Sequence, residues 1–316
     1  MPQSPRARPV FDTASRTDNL RASFEMLGGV MGFAAMAAIA HGTGEYLAWP
    51  LVAFGRIVVT AVLAAFMLHA SGLAFVFQGG RALWVRSLAG TTALSLNFFA
   101  LTHLPITDAV VIFSTNVLWI NALLALFFRR RVPPATWAYA ALALAGVYVL
   151  HNPEFDARLL PLLLALGGAF FMAVAKLALA HCKPLGTLPV VVHYSTTASL
   201  ATLAMCALQW DALVRAEAPL PGWLWLGLAG MGLAGTVGQV MMTTAYRRGH
   251  PTFVALVGIS QIVFAAALDL LIWGNGFTER KLLGVAMITT AVVLSIVTSA
   301  RAPAPTRDAE AQPEAS

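Results

Sequence analysis

Charged residues are scarce in this chain. Asp, Glu, Lys and Arg make up only 11% of its 316 residues, whereas a soluble domain carries about 25%. The charges stand in short groups, with long apolar runs such as 141–150 and 162–175 between them. Backbone polar groups inside a bilayer must be satisfied within their own segment, so these runs predict membrane-spanning helices. We therefore expect an all-α integral membrane protein.

Other absences narrow the class further. The apolar runs lack the alternation of apolar and polar residues that the strands of a membrane β-barrel show. Cys182 and Cys206 are the only cysteines, and they give neither a disulfide framework nor metal-ligand spacing. The net charge of +6 forms no basic stripe along a soluble face, so it does not indicate nucleic-acid binding. No cofactor, metal ion or nucleic acid is expected.

Ten apolar stretches are long enough to cross the bilayer, which takes about 20 helical residues. The predicted helices span 24–42, 49–70, 82–102, 106–128, 135–150, 159–180, 188–209, 222–244, 252–273 and 281–299. The first stretch lacks a convincing cleavage site, so it is expected to be retained rather than removed as a signal peptide. The tails, 1–22 and 302–316, are rich in Pro, Ala, Arg and Glu and are expected to be disordered.

The distribution of Lys and Arg predicts the orientation. With the N-terminus in the cytoplasm, the inside segments hold 13 of the 20 Lys and Arg residues, the outside segments hold 4, and 3 lie within spans. An excess of these residues on the cytoplasmic side is the rule in membrane proteins. A miscounted helix would reverse every later segment and remove the bias. We therefore predict ten spans in an inner membrane, with both termini cytoplasmic.

The sequence also contains an internal repeat. Ala89-Gly90-Thr91 returns 145 positions later as Ala234-Gly235-Thr236, and the same offset carries Asn116 onto Gln261. Two five-helix units, 24–150 and 159–299, follow from this offset.

Because five is odd, the second unit must enter the membrane from the opposite side. The expected fold is therefore ten transmembrane helices arranged as two inverted five-helix repeats, related by a pseudo-two-fold axis in the membrane plane. Secondary transporters are commonly built in this way, and their substrate sites lie near the bilayer midplane between the repeats.

Several motifs resemble EamA-type members of the drug/metabolite transporter superfamily. In the first repeat these are Arg86-Ser-Leu-Ala-Gly-Thr and residues 97–111, and in the second they are Gly168-Ala-Phe-Phe-Met-Ala-Val-Ala-Lys176 and residues 245–251. The resemblance covers about 24–299, almost everything but the tails. It implies a transporter of small metabolites that works by alternating access, with export as the common direction. It also implies a cavity lined by helices 1, 3, 4, 6, 8 and 9, with helices 5 and 10 at the periphery.

The chain departs from this family in the fourth and ninth helices. Family members usually carry a proline in the middle of each, whereas Asn116-Val117 and Gln261-Ile262 occupy these regions here. The replacement predicts a more polar central cavity than is usual for the family.

Eight residues inside the predicted spans are candidates for the transport site, because ionisable and polar groups in a bilayer usually face a cavity or a partner. The predicted substrate-binding residues are Arg86, Asn97, Asn116, Trp119 and Gln261, and the predicted coupling or gating residues are Lys176, Asp269 and Arg56.

The three cations have structural alternatives. Arg86 would bind an anionic or carboxylate group of the substrate, or extend to the cytoplasmic headgroups. Lys176 would bind substrate or a gating carboxylate, or serve as an anchor at the membrane surface. Arg56 lies deep enough to need a partner, which would make it part of a structural ion pair or hydrogen bond.

The remaining candidates also have two interpretations each. Asn116 and Gln261 would face each other across the pseudo-two-fold axis, or would only form hydrogen bonds between helices. Trp119 would provide an aromatic wall or pack in contact with lipid. Asp269 would carry a coupling proton if buried, or would lie solvated at the rim.

The prediction is therefore a secondary transporter of an amino-acid-like or related polar or amphipathic metabolite. A carrier of S-adenosylmethionine or nucleosides is the alternative substrate class, and a non-transporting receptor or assembly protein is the alternative of another kind. An enzyme is not expected: the fragment Gly258-Ile259-Ser260-Gln261 lacks the second glycine of the intramembrane serine protease motif. The expected partners are a small-molecule substrate, the lipid bilayer and, as an open alternative, a coupling proton. The sequence leaves the oligomeric state open.

Overall fold

The fold consists of helices that follow one another with short connections. A computed structural model describes residues 14–44, 46–76, 79–104, 106–152, 159–213, 220–274 and 278–301. The α-helices within these ranges are α1 Arg16–Gly44, α2 Trp49–Ala70, α3 Gly80–His103, α4 Ile106–Ser114, α5 Asn116–Leu126, α6 Pro134–His151, α7 Leu159–His181, α8 Thr187–Leu208, α9 Trp223–Arg248, α10 Pro251–Gly258, α11 Gln261–Trp273 and α12 Glu279–Arg301. The predicted fourth helix corresponds to α4 and α5 together, and the predicted ninth to α10 and α11.

The first helix begins earlier than the sequence pattern predicts. α1 starts at Arg16, so the prediction of a disordered tail is wrong for residues 16–22. The physical reason is a capping box, in which the Ser15 hydroxyl donates to Asp18 Oδ2 at 2.7 Å and the Asp18 backbone N–H donates to Ser15 Oγ at 3.1 Å. The Ser15 backbone N–H donates to the same carboxylate at 3.1 Å. Such reciprocal bonds satisfy N–H groups that have no partner within the helix. Residues 1–13 and 302–316 lie outside the described ranges, and the predictions for them stay predictions.

Eight stretches of the described chain are long and apolar enough to cross a membrane. They are Arg16–Ala40, Trp49–Ala70, Ala109–Leu126, Leu159–His181, Thr187–Leu208, Trp223–Arg248, Pro251–Ile272 and Glu279–Ser299. The described part of the chain is therefore all-helical, and the protein is a multi-pass membrane protein. The predicted third and fifth helices, α3 and α6, are not among the eight. α3 carries Arg86, Asn97 and several hydroxyl groups, and α6 has only 18 residues, so the count of ten spans stays a prediction.

Two of the predicted helices are interrupted at positions related by the repeat. α4 and α5 are separated at Thr115, and α10 and α11 are separated at Ile259 and Ser260. The second halves begin at Asn116 and Gln261, which are 145 positions apart.

Polar side chains at both interruptions compete with the helical hydrogen-bond ladder. The Thr115 hydroxyl donates to the Ile112 carbonyl at 2.6 Å, and the Ser260 hydroxyl donates to the Val257 carbonyl at 2.7 Å. The backbone N–H groups of Thr115 and Ser260 reach the same two carbonyls at 3.0 Å, which is the tighter i to i+3 pattern of a 3₁₀ turn. Side chains that bond to nearby backbone groups offer an alternative to the ladder, so these breaks need no proline.

Helix pairing is unchanged when the two five-helix units are exchanged. α1 packs along α9 and α3 packs along α7, while α2 packs with α8 and α6 packs with α12. If the two units are exchanged, the pair α1 and α9 becomes the pair α7 and α3, whereas the pairs α2 with α8 and α6 with α12 stay the same. This is the contact pattern that a two-fold relation between the units produces.

Glycines allow backbone contact within two of these pairs. A Cβ atom at Gly32 of α1 would lie 2.8 Å from the Ala234 carbonyl oxygen and 2.9 Å from the Gly238 nitrogen of α9. A Cβ atom at Gly146 of α6 would lie 2.9 Å from the Gly284 carbonyl oxygen of α12. Small residues at helix contacts let two backbones approach each other closely, so these helices cannot keep their separation if a side chain is added.

The contact between α1 and α9 predicts a stability difference between two glycine variants. Gly32→Ala should lower the melting temperature of the purified protein in detergent, because the obstructing atoms are backbone; overpacking of this kind typically costs about 1–3 kcal/mol. Gly230→Ala in α9 is the matched control, since its Cβ would meet only the Ile39 side chain at 3.7 Å. That variant should melt at or above the wild-type temperature, because Ala favours helix more than Gly does. Equal melting of both variants would contradict the close contact.

Candidate functional site

A cavity of about 340 Å³ lies between the two five-helix units. Small-molecule sites typically measure about 300–1,000 Å³. Its described lining comes from α1, α2, α3, α4, α7, α8, α9, α10 and α11, and from neither α6 nor α12. The six predicted helices that the family resemblance implies as lining all contribute: they correspond to α1, α3, α4, α7, α9 and the pair α10 and α11. Two further helices, α2 and α8, also line the cavity.

A second cavity of about 220 Å³ adjoins the first at the helix interruptions. The two cavities share Phe113, Met172, Lys176, Gly258 and Gln261 as lining residues. Asn116 lines only the smaller one.

Arg86 lies inside the protein rather than at its surface. Its side chain is 3% exposed, and the guanidinium carbon lies 4.1 Å from the centre of the Tyr194 ring on α8. Gly90, one turn further along α3, makes room for this arrangement: a Cβ atom there would collide with an Arg86 guanidinium nitrogen and lie 2.9 Å from the Tyr194 ring. A cation over an aromatic face is stabilised by the ring quadrupole. Arg86 therefore lines the cavity in contact with Tyr194.

Lys176 connects the second unit to the interrupted helix of the first. Its ammonium group donates to Asn116 Oδ1 at 2.8 Å, and the Asn116 amide nitrogen donates to the Phe113 carbonyl at 2.6 Å. Phe113 lies in α4 just before the interruption, so Asn116 uses both ends of its amide. The structure thus brings Asn116, Lys176 and Gln261 to the wall of the smaller cavity.

Arg56 and Asn97 line the larger cavity with polar atoms that have no partner among the described residues. Arg56 of α2 lies with its guanidinium carbon 6.0 Å from the Phe33 ring centre, and its Nε is buried without a hydrogen bond. Asn97 Oδ1 is also buried without a hydrogen bond, against Gly168 of α7. A Cβ atom at Gly168 would collide with that oxygen.

The charge of the cavity is positive. Three cations line it, Arg56, Arg86 and Lys176, and its lining contains no carboxylate among the described residues. Glu25, on the same helix as three of the lining side chains, is paired instead with Arg248 at 3.2 Å. A site lined by one sign of charge with low-dielectric walls concentrates ions of the opposite sign, so this cavity favours anionic ligands.

Two of the predicted site residues are not placed in the cavity wall by the structure. Trp119 is 36% exposed and makes an edge contact with Phe170, with ring centres 5.4 Å apart. It does not line either cavity, because the buried face of α5 is formed by residues such as Val117, Ile120 and Leu124. Trp119 therefore lies outside the two cavities, and its role as an aromatic wall stays a prediction.

Asp269 belongs to α11, but its side chain lies outside the part of the structure that is described. The prediction that it carries a coupling proton stays a prediction.

The repeat offset relates six lining residues, of which only Asn97 was predicted. Leu94 and Gln239, Asn97 and Met242, and Phe113 and Gly258 are each 145 positions apart, and all six line the larger cavity. Applying the offset to every residue of the third and fourth helices would have found them. Tyr194, in contrast, has no such signal, since it is notable only as a polar residue within the run His193-Tyr194-Ser195.

The helices, the repeat-related interruptions and the central cavity form an arrangement that is typical of membrane transporters. Residues 159–297, which make up most of the second five-helix unit, match the EamA-like transporter family. This match confirms, for these residues, the resemblance seen in the sequence.

Similar proteins include curated relatives and a solved structure. Two proteins named pseudopaline exporter CntI, from Pseudomonas aeruginosa strains PAO1 and UCBPP-PA14, are each 25% identical over 264 residues, which cover 83% of this chain and 90% of theirs. One crystal structure superimposes with a TM-score of 0.76 at 17% identity, over 89% of this chain and 98% of that one. The structural likeness shows a shared fold. The family match and the two exporter relatives point to a transporter rather than an enzyme.

The charge of the cavity can be measured without knowing its ligand. The two native thiols should react slowly with labelling reagents. Cys182 is fully buried and burial raises the pKa of its thiol, and Cys206 is also buried. In a Cys182→Ala, Cys206→Ala background, Leu94→Cys would place one thiol on the cavity wall. We expect an anionic methanethiosulfonate to label it roughly tenfold faster than a cationic one, after each rate is divided by that of the same reagent with a free thiol.

Two further positions serve as controls for this measurement. Ser71→Cys lies on an exposed turn and should show no such preference, and Leu179→Cys lies in the core with no exposed surface and should label with neither reagent. Neutralisation by Arg86→Gln should reduce the preference at Leu94→Cys. Equal rates for both reagents there, or faster cationic labelling, would contradict a positively charged cavity.

Proposed function

We propose that this protein is a secondary transporter that exports a small amino-acid-like or related polar metabolite across the inner membrane by alternating access. The observation that carries the proposal is the central cavity, which lies where the two interrupted helices meet and is lined by both units.

The helix interruptions support a substrate site at this place. Discontinuous helices in transporters form substrate and ion sites near the bilayer midplane, at the interface between repeats. The interruptions at 115 and at 259–260 begin second halves at the repeat-related residues Asn116 and Gln261. In the proposed site these two amides, together with Arg86 and Asn97, hold the polar groups of the substrate.

The proposal includes ten transmembrane helices in two inverted repeats. α3 and α6 would cross the membrane with the eight more apolar stretches, since each packs along a partner helix that is itself among the eight. The exchange-symmetric pairing and the excess of cytoplasmic Lys and Arg support the same arrangement, with both termini inside.

Alternating access would use the seams between the units. The glycine contacts between α1 and α9 and between α6 and α12 bring helices of the two units to backbone distance. Lys176 and Arg56 would act in coupling or gating, because Arg56 reaches the cavity from the first unit and Lys176 reaches it from the second. Asp269 would supply the coupling proton if transport is driven by protons.

The relatives favour export as the direction, since both are named as exporters. Among the alternative substrates, S-adenosylmethionine is disfavoured by the charge of the site, because its sulfonium and amino groups are cationic. A nucleoside remains compatible with the amides but would leave the three cations unused.

Transport by two variants tests the proposed site. Proteoliposomes containing the wild type should accumulate labelled L-glutamate, or another labelled amino acid, when preloaded with unlabelled amino acids. Asn116→Leu and Gln261→Leu should each reduce this counterflow to the level of empty liposomes, because the substrate would lose its amide partners. Gln209→Leu, at an exposed position after α8, is the matched control and should transport normally.

The same experiment can refute the site or the function. Normal counterflow by both variants would remove the helix interruptions from the binding site. Counterflow that does not exceed empty liposomes for any amino acid, for S-adenosylmethionine and for uridine would contradict the proposed transport of metabolites.

A further inference from the structure

We infer that the substrate of the central cavity carries at least two separate anionic groups, carboxylate or phosphate, on one body. One group would bind Arg86 beside Tyr194, and another would bind Lys176 beside Asn116 at the helix interruption. The inference rests on the proposed transport function and specifies its substrate class.

The number of cations is the first argument. Arg56, Arg86 and Lys176 all reach the larger cavity, and the described lining offers none of them a carboxylate. A single monoanion would leave two positive charges without compensation in a site removed from water, where an unpaired charge is costly. A ligand with two or more anionic groups compensates them in one binding event.

The free donors of the cations are the second argument. Arg86 Nε and Arg56 Nε are both buried without a hydrogen-bond partner among the described residues. Most buried polar atoms in proteins have a partner, and one that lacks it calls for an explanation. Planar guanidinium groups suit carboxylate and phosphate oxygens because they donate two parallel hydrogen bonds.

The fixed positions of two cations are the third argument. Arg86 lies against the Tyr194 ring, in space that Gly90 leaves open, whereas Lys176 donates to Asn116 at 2.8 Å. Each cation is thus held by neutral neighbours, which orient it but do not neutralise it. Two separately held cations define two binding points rather than one.

The rest of the cavity wall describes the body that joins the anionic groups. Four methionines, Met26, Met36, Met172 and Met242, line the cavity. Methionine side chains are flexible and polarisable, so they adapt to irregular apolar shapes. The body of the ligand is therefore expected to be at least partly apolar and not closely matched in shape.

A series of carboxylates on short carbon chains tests the inference. Butyrate, glutarate and tricarballylate carry one, two and three carboxylates, and their binding to the purified protein can be followed by thermal shift and calorimetry at constant ionic strength. We expect affinity to rise at each step. Arg86→Gln and Lys176→Gln should each weaken tricarballylate binding by roughly 10- to 100-fold, as loss of a charged hydrogen bond does, and should affect butyrate much less.

Controls separate loss of charge from loss of folding. Arg131→Gln and Lys281→Gln remove cations that do not line the cavity, and they should leave tricarballylate binding unchanged. Arg86→Lys and Lys176→Arg retain the charge and should bind tricarballylate better than the glutamine variants do. If the glutamine variants unfold, the carboxylate series can still be measured on the wild type and on Arg86→Lys and Lys176→Arg. A rise in affinity with the number of carboxylates in these proteins would then support the inference, and equal affinities would contradict it.

Three outcomes would overturn the inference. Equal affinity for butyrate and tricarballylate would show that one anionic group is enough. Binding that survives both glutamine variants would place the anion elsewhere, and stabilisation by phosphatidylglycerol in mixed micelles but not by tricarballylate would identify a lipid headgroup as the occupant. Counterflow of a neutral amino acid without any tricarballylate binding would reject the polyanion and leave the proposed transport function standing.

Discussion

Three cations line one cavity inside this helical protein, and the described lining places no carboxylate beside them; the rest of the structure depends on this constraint. Placing an arginine or lysine at the centre of a membrane helix costs about 2.5–3.5 kcal/mol even by insertion-based scales. The chain offsets part of this cost with neutral neighbours: an aromatic face for Arg86 and an amide oxygen for Lys176. It leaves the charges themselves uncompensated, which is useful in a binding site and unfavourable in a purely structural one.

The repeat explains how one cavity acquires walls from both halves of the chain. Helices that pair across the units enclose the space between them, and the side chains that follow the two interruptions, Asn116 and Gln261, line it. The units have diverged at the interruptions, with Asn116 in one and Gln261 in the other. They have also diverged in charge, because Arg86 corresponds by the offset to Met231. A site of this kind keeps the symmetric architecture while presenting an asymmetric set of partners to its ligand.

The sequence predicted the helices better than it predicted the site. Apolar length and the repeat offset located the helices, since the bilayer imposes a minimum length on each span. The start of α1 was missed because a capping box outweighed a polar composition. Arg86, Asn97, Lys176 and Gln261 were recognisable because polar groups in apolar helices are rare. The contact of Tyr194 with the cavity and the position of Trp119 outside it could not be predicted, because both depend on how a helix is rotated about its axis. The rotation of α5 is set by its contacts with α7 and α10, which are distant in the sequence. The interruptions themselves were not predicted, since the familiar prolines are absent and the hydroxyl groups that replace them are common in uninterrupted helices.

The position of the cations connects binding to movement. Arg86 and Arg56 belong to the first unit, whereas Lys176 and Tyr194 belong to the second. A ligand that bridges Arg86 and Lys176 therefore bridges the two bodies whose relative motion would open the cavity to one side or the other. Because Lys176 also bonds to Asn116 at the interruption of α4 and α5, an anion that draws the ammonium group away releases a contact between the units at the 3₁₀ turn that joins these two helices. Binding at the cations and rearrangement at the break would then be a single event, since both involve the same hydrogen bond.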